Sequence, residues 1–284
     1  MQNFGGKWTV HKMNIVIKYV KAYLEIMKDR DYWNLIYFDG FAGSGGILQT
    51  ENGEIQLIEG IATKILQISK PRAFDIYYFV DKDQDNTVYL QELIDVKFPD
   101  KKNKAFVVNE DCNQKLFDLS KFLQKPENNL FKVLAFIDPF GMQVNWSSIE
   151  RLKGLPIDMW ILVPTGLGVN RLLKRNGDIS ESWLQKLHLF LGLEKQYIID
   201  YFYKQRVIPT LFGEETVINK ENHAIEKAGE LYKSQLNKIF EYVSAPFIMK
   251  NKTGSTLFHF FLASNNRTAQ RIANDIIKRI TIED

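Results

Sequence analysis

Short apolar runs rich in β-branched and aromatic residues alternate with segments of helical periodicity along the first part of the chain. These runs are continuously apolar rather than alternating with polar residues, as expected for strands buried on both faces. Their order, strand then helix, predicts a mostly parallel sheet covered by helices on both sides. The predicted strands are residues 35–38, 76–80, 105–108, 133–137 and 159–163, after a leading helix over 10–27.

Past the fifth apolar run the chain changes character. Residues from about 167 to 242 indicate a helical insertion with many basic and aromatic side chains. Residues 246–249 and 256–263 then have a hairpin pattern, and 268–280 has the periodicity of a closing helix. Five parallel strands followed by an antiparallel hairpin resemble the plan of the class I methyltransferases, a doubly wound, Rossmann-like α/β fold. We therefore expect residues 1–284 to form a single methyltransferase-like domain with a helical insertion.

The composition is that of a globular protein. Of the 284 residues, 45% are apolar and 25% are charged, which permits a full core and disfavours disorder. The net charge of +3 permits a nucleic-acid partner without requiring one. One cysteine excludes an internal disulfide, and four histidines without metal-ligand spacing predict that there is no metal site. Because no apolar run approaches ~20 residues and no signal-peptide pattern is present, we expect a cytoplasmic protein without membrane contact.

A glycine-rich turn follows the first predicted strand directly. Glycine lets the backbone adopt positive φ and approach a ligand closely, and in a doubly wound sheet this turn lies at the edge where ligands bind. Its exposed N–H groups could hold the carboxylate of a methionine moiety. A tight structural turn is the alternative. The acid-aromatic-Ala-Gly-x-Gly form of the turn favours ligand binding, and the absence of a Gly-Lys-Ser/Thr or G-x-G-x-x-G pattern disfavours a P-loop phosphate or a nicotinamide cofactor. The resemblance to the methyltransferase plan implies S-adenosyl-L-methionine as the cofactor, and we expect Asp39, Gly40, Phe41, Ala42, Gly43 and Gly45 to bind it.

Acidic residues also follow the second and third predicted strands. Asp81 stands where a carboxylate would hold a ribose diol, and the alternative role, capping the next helix, is assigned to Asp83. Asp111 is the candidate acceptor for the adenine amino group, with an N-cap of the helix over 113–123 as the alternative. Cys112 is assigned to the same cofactor site as a small buried residue rather than as a nucleophile.

The fourth predicted strand ends in Asp138-Pro139-Phe140-Gly141. An amino group on a base is a poor nucleophile because its lone pair is conjugated with the ring. The Asp138 carboxylate and the Pro139 carbonyl could accept its two hydrogens and aim the lone pair at the sulfonium methyl, which is catalysis by positioning. Phe140 could stack on the base, worth about 1–3 kcal/mol. The alternative is a structural Asp-Pro turn with a core phenylalanine.

The predicted insertion interleaves basic and aromatic side chains, a pattern that suits nucleic acid. A solvated helical face is the alternative interpretation. The basic residues are Arg171, Lys174, Arg175, Lys186, Lys195, Lys204 and Arg206, and the aromatic residues between them are Trp183, Tyr197, Tyr201 and Tyr203.

Together these segments resemble the three-Cys-motif partner protein family. The resemblance extends over nearly the whole chain, and the glycine-rich turn followed later by Asp-Pro-Phe-Gly is its most specific part. The family is named for genomic proximity to a radical-enzyme-like protein with three cysteines, so the resemblance implies such a protein as a partner. The matching positions are Trp8, Lys12, 37–45, Gly60, 79–81, Asp111, 138–141 and 258–264.

Asp-Pro-Phe-Gly is also similar to the fourth motif of tRNA guanine-N2 dimethyltransferases and to the Asp-Pro-Pro-Tyr/Phe motif of adenine-N6 methyltransferases. By that resemblance Asp138 and the Pro139 carbonyl would grip the target amine. The aromatic residue comes one position earlier than in the adenine enzymes, and the zinc-ribbon cysteines of the guanine enzymes are absent. We expect substrate contacts from Lys12, Gly141, Lys174 and Arg175.

These features predict an S-adenosyl-L-methionine-dependent N-methyltransferase acting on an exocyclic amine of a base in RNA or DNA. The alternative is a catalytically silent binding protein of the same fold. In that case the segment over 167–242 would dock the three-cysteine partner, and the cofactor pocket would be vestigial or regulatory.

Overall fold

A mixed sheet of eight strands forms the centre of the molecule. The structure is a computed structural model and describes residues 7–51, 54–210 and 213–283. The first elements are α1 (Lys7–Met27), β1 (Asn34–Asp39), β2 (Gly46–Glu51), β3 (Glu54–Glu59), α2 (Ile61–Leu66), β4 (Ile76–Asp81), α3 (Gln84–Lys97), β5 (Ala105–Asn109), α4 (Cys112–Leu123), β6 (Phe131–Ile137), α5 (Trp146–Glu150) and β7 (Ile157–Val163). They are followed by α6 (Asn170–Leu172), α7 (Glu181–Leu191), α8 (Lys195–Phe202), β8 (Tyr203–Thr210), β9 (Gly213–Lys220), α9 (Ala224–Ile239), β10 (Tyr242–Val243), β11 (Phe247–Lys250), β12 (Thr256–Ser264) and α10 (Arg267–Glu283). None of the described helices is long and apolar enough to cross a membrane.

The strand order of the sheet is β5, β4, β1, β6, β7, β12, with β10 and β11 both paired to the far side of β12. The first five strands are parallel, and β12 runs antiparallel to β7. From β1 the chain builds one side of the sheet through β4 and β5 and then the other side through β6 and β7. The order therefore reverses between β1 and β6, the position where doubly wound sheets bind ligands. The chain has the class I methyltransferase fold.

Side chains of the central strands are buried on both faces of the sheet. In β1, Ile36 and Phe38 pack into one apolar layer, and Leu35 and Tyr37 pack into the other. Helices α1, α2, α3 and α10 cover the second layer, whereas α4, α5, α7, α8 and α9 cover the first. Burial on both faces explains why the strand sequences are continuously apolar.

The five predicted parallel strands correspond to β1, β4, β5, β6 and β7, and the predicted hairpin corresponds to β11 and β12. The expectation of a helical segment over 167–242 was wrong in part. Helices α6 to α9 lie there, but β8 and β9 form an antiparallel hairpin between them. Tyr203, Val207, Thr216 and Val217 favour strands, and Gly213 at the tip has a φ of 128° that other residues rarely adopt. Polar and charged residues interrupt the apolar residues in both strands, so they lack the continuous apolar runs of the other strands.

The C-terminal end of α7 is fixed against α5 by a glycine. Gly192 ends α7 with φ of 65° and ψ of 34°. Trp146 of α5 lies directly against it and packs edge-on against Tyr232 of α9, with the ring centroids 5.7 Å apart. Tyr232 in turn stacks on Phe190 of α7. This aromatic cluster joins the segment after β7 to the helix that follows β6.

Gly192→Ala should destabilise the fold far more than Gly154→Ala. Both glycines have positive φ, which costs an L-residue about 1–2 kcal/mol. A Cβ at Gly192 would lie 2.0 Å from Cδ1 of the buried Trp146, whereas a Cβ at Gly154 meets nothing within 4 Å. The overlap adds about 1–3 kcal/mol at Gly192 alone. Denaturant unfolding of both variants measures the difference, and equal losses would show that Trp146 moves aside freely.

Candidate functional site

The carboxylate that ends β1 is the most buried acid at the ligand-binding edge. Asp39 is 1% exposed. Its carboxylate accepts hydrogen bonds from the Phe41 backbone N–H at 3.1 Å and from the Tyr37 hydroxyl at 3.3 Å. Burial raises the pKa of Asp39 to about 7, and the negative charges of Asp138 and Asp81 add to the increase against the opposing hydrogen bonds. Asp39 therefore changes charge near neutral pH.

The glycine-rich turn crosses the edge of the sheet from β1 and is anchored on both sides. The Gly40 N–H donates to the Phe136 carbonyl of β6, and the Ala42 N–H donates to the Val80 carbonyl of β4, both at 2.9 Å. Gly43 and Gly45 have φ of 61° and 75°, a region that glycine adopts without strain. No heavy atom lies within 4 Å of where a Cβ of Gly43 would stand. The backbone at this turn is thus open to a ligand.

Asp81, at the end of β4, holds the glycine-rich turn in place. It accepts hydrogen bonds from the Gly43 N–H and the Asp83 N–H, both at 2.8 Å, and from the Asn86 side chain at 3.3 Å. Asp83 caps α3 through the N–H groups of Asp85 and Asn86, as predicted. Asp81 is therefore not a helix cap, and its carboxylate joins the ends of β1 and β4.

Asp111 follows β5 and caps α4, the alternative role considered for it. The N–H and the side-chain amide of Asn113 donate to it at 2.8 and 2.9 Å. Burial acts to raise the pKa of Asp111, but these hydrogen bonds and Lys82, 3.5 Å away, hold it below its usual value. A ligand role for Asp111 stays a prediction. Cys112 next to it is 4% exposed, and burial raises the pKa of its thiol, which makes it a poor nucleophile.

Cys112 also sets how closely the glycine-rich turn approaches α4. A Cβ at Gly40 would lie 2.6 Å from Cys112 Sγ and 2.9 Å from Ile137 Cδ1. Glycine at position 40 is therefore needed for close packing, although its φ is not positive. The structure brings Gly40 and Cys112, both predicted as cofactor-binding residues, into contact.

Two predicted site residues that are 126 positions apart in the sequence, Lys12 and Asp138, are in contact. Lys12, in the first turns of α1, forms an ion pair with the Asp138 carboxylate at the end of β6. The two side chains are 9% and 19% exposed. The Lys12 ammonium also lies 5.6 Å from the centre of the Trp8 ring, which packs on Phe258 of β12. A predicted substrate-binding residue and a predicted catalytic residue are thus in direct contact.

The residues after Asp138 differ in their exposure. Pro139 is buried, whereas 73% of Phe140 is exposed. The Phe140 N–H donates to the side-chain oxygen of Gln143 at 2.9 Å. A Cβ at Gly141 would meet no heavy atom within 4 Å. Phe140 is therefore not a core residue, so that part of the alternative interpretation is wrong.

Asn113 and Gln143 are residues that the sequence interpretation missed. The Asn113 amide donates to the Gln143 carbonyl at 2.9 Å, and its oxygen accepts from the Asn145 N–H at 2.8 Å and the Ser148 hydroxyl at 3.0 Å. Because Asn113 also binds Asp111, it ties the loop after β5 to the loop after β6. The sequence indicated only that Asn113 is a polar residue two positions after the predicted cap Asp111.

The remaining two predicted substrate residues lie outside this cluster. Lys174 is 3.6 Å from Asp178 and 5.5 Å from the centre of the Trp183 ring. Arg175 lines a cleft of about 430 Å³ with Lys220 and the start of α9. Within the described ranges neither side chain has a hydrogen bond or ion pair to an acid at a strand end. Among the residues that the structure describes, no group of three His, Cys, Asp or Glu side chains could hold a metal ion.

Comparison with known proteins gives structural likenesses only. No family model and no curated protein matches the chain. Among solved structures, it is similar to the DszA carbon methyltransferase, with 14% identity over 92% of this chain and 56% of that chain and a TM-score of 0.44. A protein from Legionella pneumophila is 14% identical over 87% and 96% of the two chains, with a TM-score of 0.40. Trm1 from Pyrococcus horikoshii, determined with S-adenosyl-L-methionine, is 12% identical over 93% and 65%, with a TM-score of 0.37.

The raised pKa of Asp39 should make the stability of this protein fall as the pH rises from 4 to 7. The unfolded carboxyl loses its proton near pH ~4, whereas the folded one keeps it up to about 7, so the folded state binds more protons between these values. Relative to Asp39→Asn, which has no ionisable group, the wild type should lose roughly 4 kcal/mol over this window. Denaturant unfolding at several pH values measures the difference. Asp111→Asn is the control of opposite sign, because its folded pKa is lowered.

Proposed function

We propose that the chain is an S-adenosyl-L-methionine-dependent methyltransferase whose acceptor is an exocyclic amine of a nucleic-acid base. The observation that carries the proposal is the segment at the end of β6. There a shielded Asp138 carboxylate is followed by a buried Pro139 and by an exposed Phe140 ring. This segment adjoins the point where the strand order reverses, so a ligand in the crevice would meet it.

The donors and acceptors at the edge fit the proposed cofactor. Its ammonium, ribose hydroxyls and adenine amine all donate hydrogen bonds, and Asp39, Asp81 and Asp111 are acceptors at three neighbouring strand ends. Its one carboxylate needs donors, and in the described part of this turn the N–H groups of Ser44 and Gly45 are the ones that donate to no protein acceptor. Acids around the crevice also suit a sulfonium cation. We assign the methionine part to the turn at Gly43, the ribose to Asp81 and the adenine to Asp111.

The same residues would position the acceptor. The cofactor, when bound, supplies a methyl group on a positively charged sulfur. Asp138 and the Pro139 carbonyl would each accept one hydrogen of the target amine, which holds its lone pair toward the crevice. Phe140 would stack on the base from the solvent side, where its ring is exposed. The chain thus contributes orientation and charge rather than a covalent step.

Asp81→Ala should weaken cofactor binding while Asp83→Ala should not. Loss of hydrogen bonds to a charged group costs about 1.5–3 kcal/mol, or roughly 10- to 100-fold in affinity. Asp83 only caps α3, so its removal should lower stability by about 1 kcal/mol without affecting affinity. Calorimetry with S-adenosyl-L-methionine and its demethylated product measures both. Absence of heat from the wild type at ligand concentrations approaching millimolar would refute the proposed cofactor.

Asp138→Ala should abolish methyl transfer and leave cofactor binding nearly unchanged. Asp138 touches the amine in the proposal, whereas the cofactor is held by other strand ends. Because Asp138→Ala leaves the Lys12 ammonium unpaired, the double variant Lys12→Met/Asp138→Ala is the matched control for folding. The measurement is a tritiated-methyl assay with tRNA, rRNA, DNA and total protein, alongside calorimetry. If binding and transfer decline together, Asp138 is a structural residue.

A further inference from the structure

The ion pair at the end of β6 presents a hydrogen-bond donor beside a hydrogen-bond acceptor. The Lys12 ammonium has three N–H groups, of which one is directed at Asp138 Oδ2. In the described part of the chain, the other carboxylate oxygen of Asp138 accepts no hydrogen bond. Both groups therefore retain hydrogen-bonding capacity for a ligand, at side chains only 9% and 19% exposed.

Stability alone does not explain this pair. Removing two charges from water is costly, and apolar residues of similar volume commonly stabilise a fold as well or better. The pair also does not occupy the apolar core: it lies between the first turns of α1 and the loop after β6, next to the exposed Phe140. A charged pair at the ligand-binding edge is better explained by recognition of a ligand.

The exocyclic amines of the bases differ in the ring atom beside them. On the Watson–Crick edge, adenine N6 is next to N1 and cytosine N4 is next to N3, and both ring nitrogens are acceptors. Guanine N2 lies between N1–H, a donor on that edge, and N3, an acceptor that lies outside the Watson–Crick edge. If Asp138 accepts an amine hydrogen, the neighbouring Lys12 N–H suits the acceptor of adenine or cytosine and opposes the donor of guanine.

We propose that Lys12 and Asp138 together select an amine whose neighbouring ring nitrogen on the Watson–Crick edge is unprotonated, namely adenine N6 or cytosine N4, in an unpaired strand. The inference rests on the proposed function and narrows its substrate. Asp138 accepts one amine hydrogen while Lys12 donates to the ring nitrogen. The Watson–Crick edge is free for these contacts only where the base is unpaired or flipped out of a duplex.

With S-adenosyl-L-methionine as the methyl donor, the proposed transfer is balanced. The amine nitrogen forms a bond to the methyl carbon, the sulfur–carbon bond breaks, and its electron pair stays on sulfur. The nitrogen loses one proton, which passes to the Asp138 carboxylate and from there to water. Lys12 acts as a positioning and selecting group.

Substrates that differ in one atom test the proposal. Single-stranded oligonucleotides carry either adenine or 1-deazaadenine at the target, and either cytosine or 3-deazacytosine. The wild type should lose about 10- to 100-fold in kcat/KM on the deaza base that matches its substrate, the discrimination expected for a lost contact to a base edge. Lys12→Met should be slow on both bases of the pair, with a ratio near one. Lys18→Met removes an exposed lysine of the same helix and should behave as the wild type.

The outcomes separate this inference from the proposed function. Equal wild-type rates on natural and deaza bases, or transfer to guanine alone, would overturn the selection by Lys12 and leave a methyltransferase. Transfer to no single-stranded, duplex or protein substrate by the cofactor-bound wild type would overturn both. The comparison of natural and deaza bases uses the wild type, so it tests the proposed base selection even if Lys12→Met does not fold. Where that variant folds, unchanged cofactor affinity shows that its effect lies on the acceptor side.

Discussion

The parallel pairing of β1 with β4 on one side and β6 on the other is the constraint on which the site depends. In this register Asp39 lies level with Phe79 of β4 and Phe136 of β6. Asp81 and Asp138 each follow two residues further along, so three carboxylates converge at one edge without any loop having to bring them together. The glycine-rich turn then only has to cross this edge, and its hydrogen bonds to Phe136, Val80 and Asp81 extend the same framework.

Convergence of these acids has an electrostatic consequence. Asp39 is fully desolvated, and the charges of Asp81 and Asp138 raise its pKa further, to about 7. The Lys12 ammonium is the compensating charge at the far side of the cluster, in contact with Asp138. Each of the three acids is therefore compensated differently. Asp138 pairs with a cation, Asp39 is partly protonated near neutral pH, and Asp81 accepts hydrogen bonds from backbone N–H groups. Such an edge attracts a cation without holding several bare carboxylates in a buried place.

The parts that the sequence predicted are local, and the parts it missed depend on long-range packing. Each of the five parallel strands is continuously apolar, so its position and the acid or polar turn after it could be predicted directly. The hairpin of β8 and β9 could not, because polar and charged residues interrupt the apolar residues in both of its strands. The contact of Lys12 with Asp138 joins residues 126 positions apart and depends on how α1 docks. A family resemblance, rather than periodicity, had singled out Lys12.

The small hairpin of β2 and β3 is closed at its base by the glycines on either side. The Gly60 N–H donates to the Gly45 carbonyl at 2.8 Å, and the Thr63 hydroxyl donates to the same oxygen at 2.7 Å. A Cβ at Gly60 would lie 2.9 Å from that carbonyl, so only glycine permits this approach. Gly45 and Gly60, at the two ends of the hairpin, are thus in direct backbone contact. Because Gly45 and Gly60 hold the two ends together, a change of length within this hairpin should leave the preceding turn in place, as at other sites where insertions are tolerated.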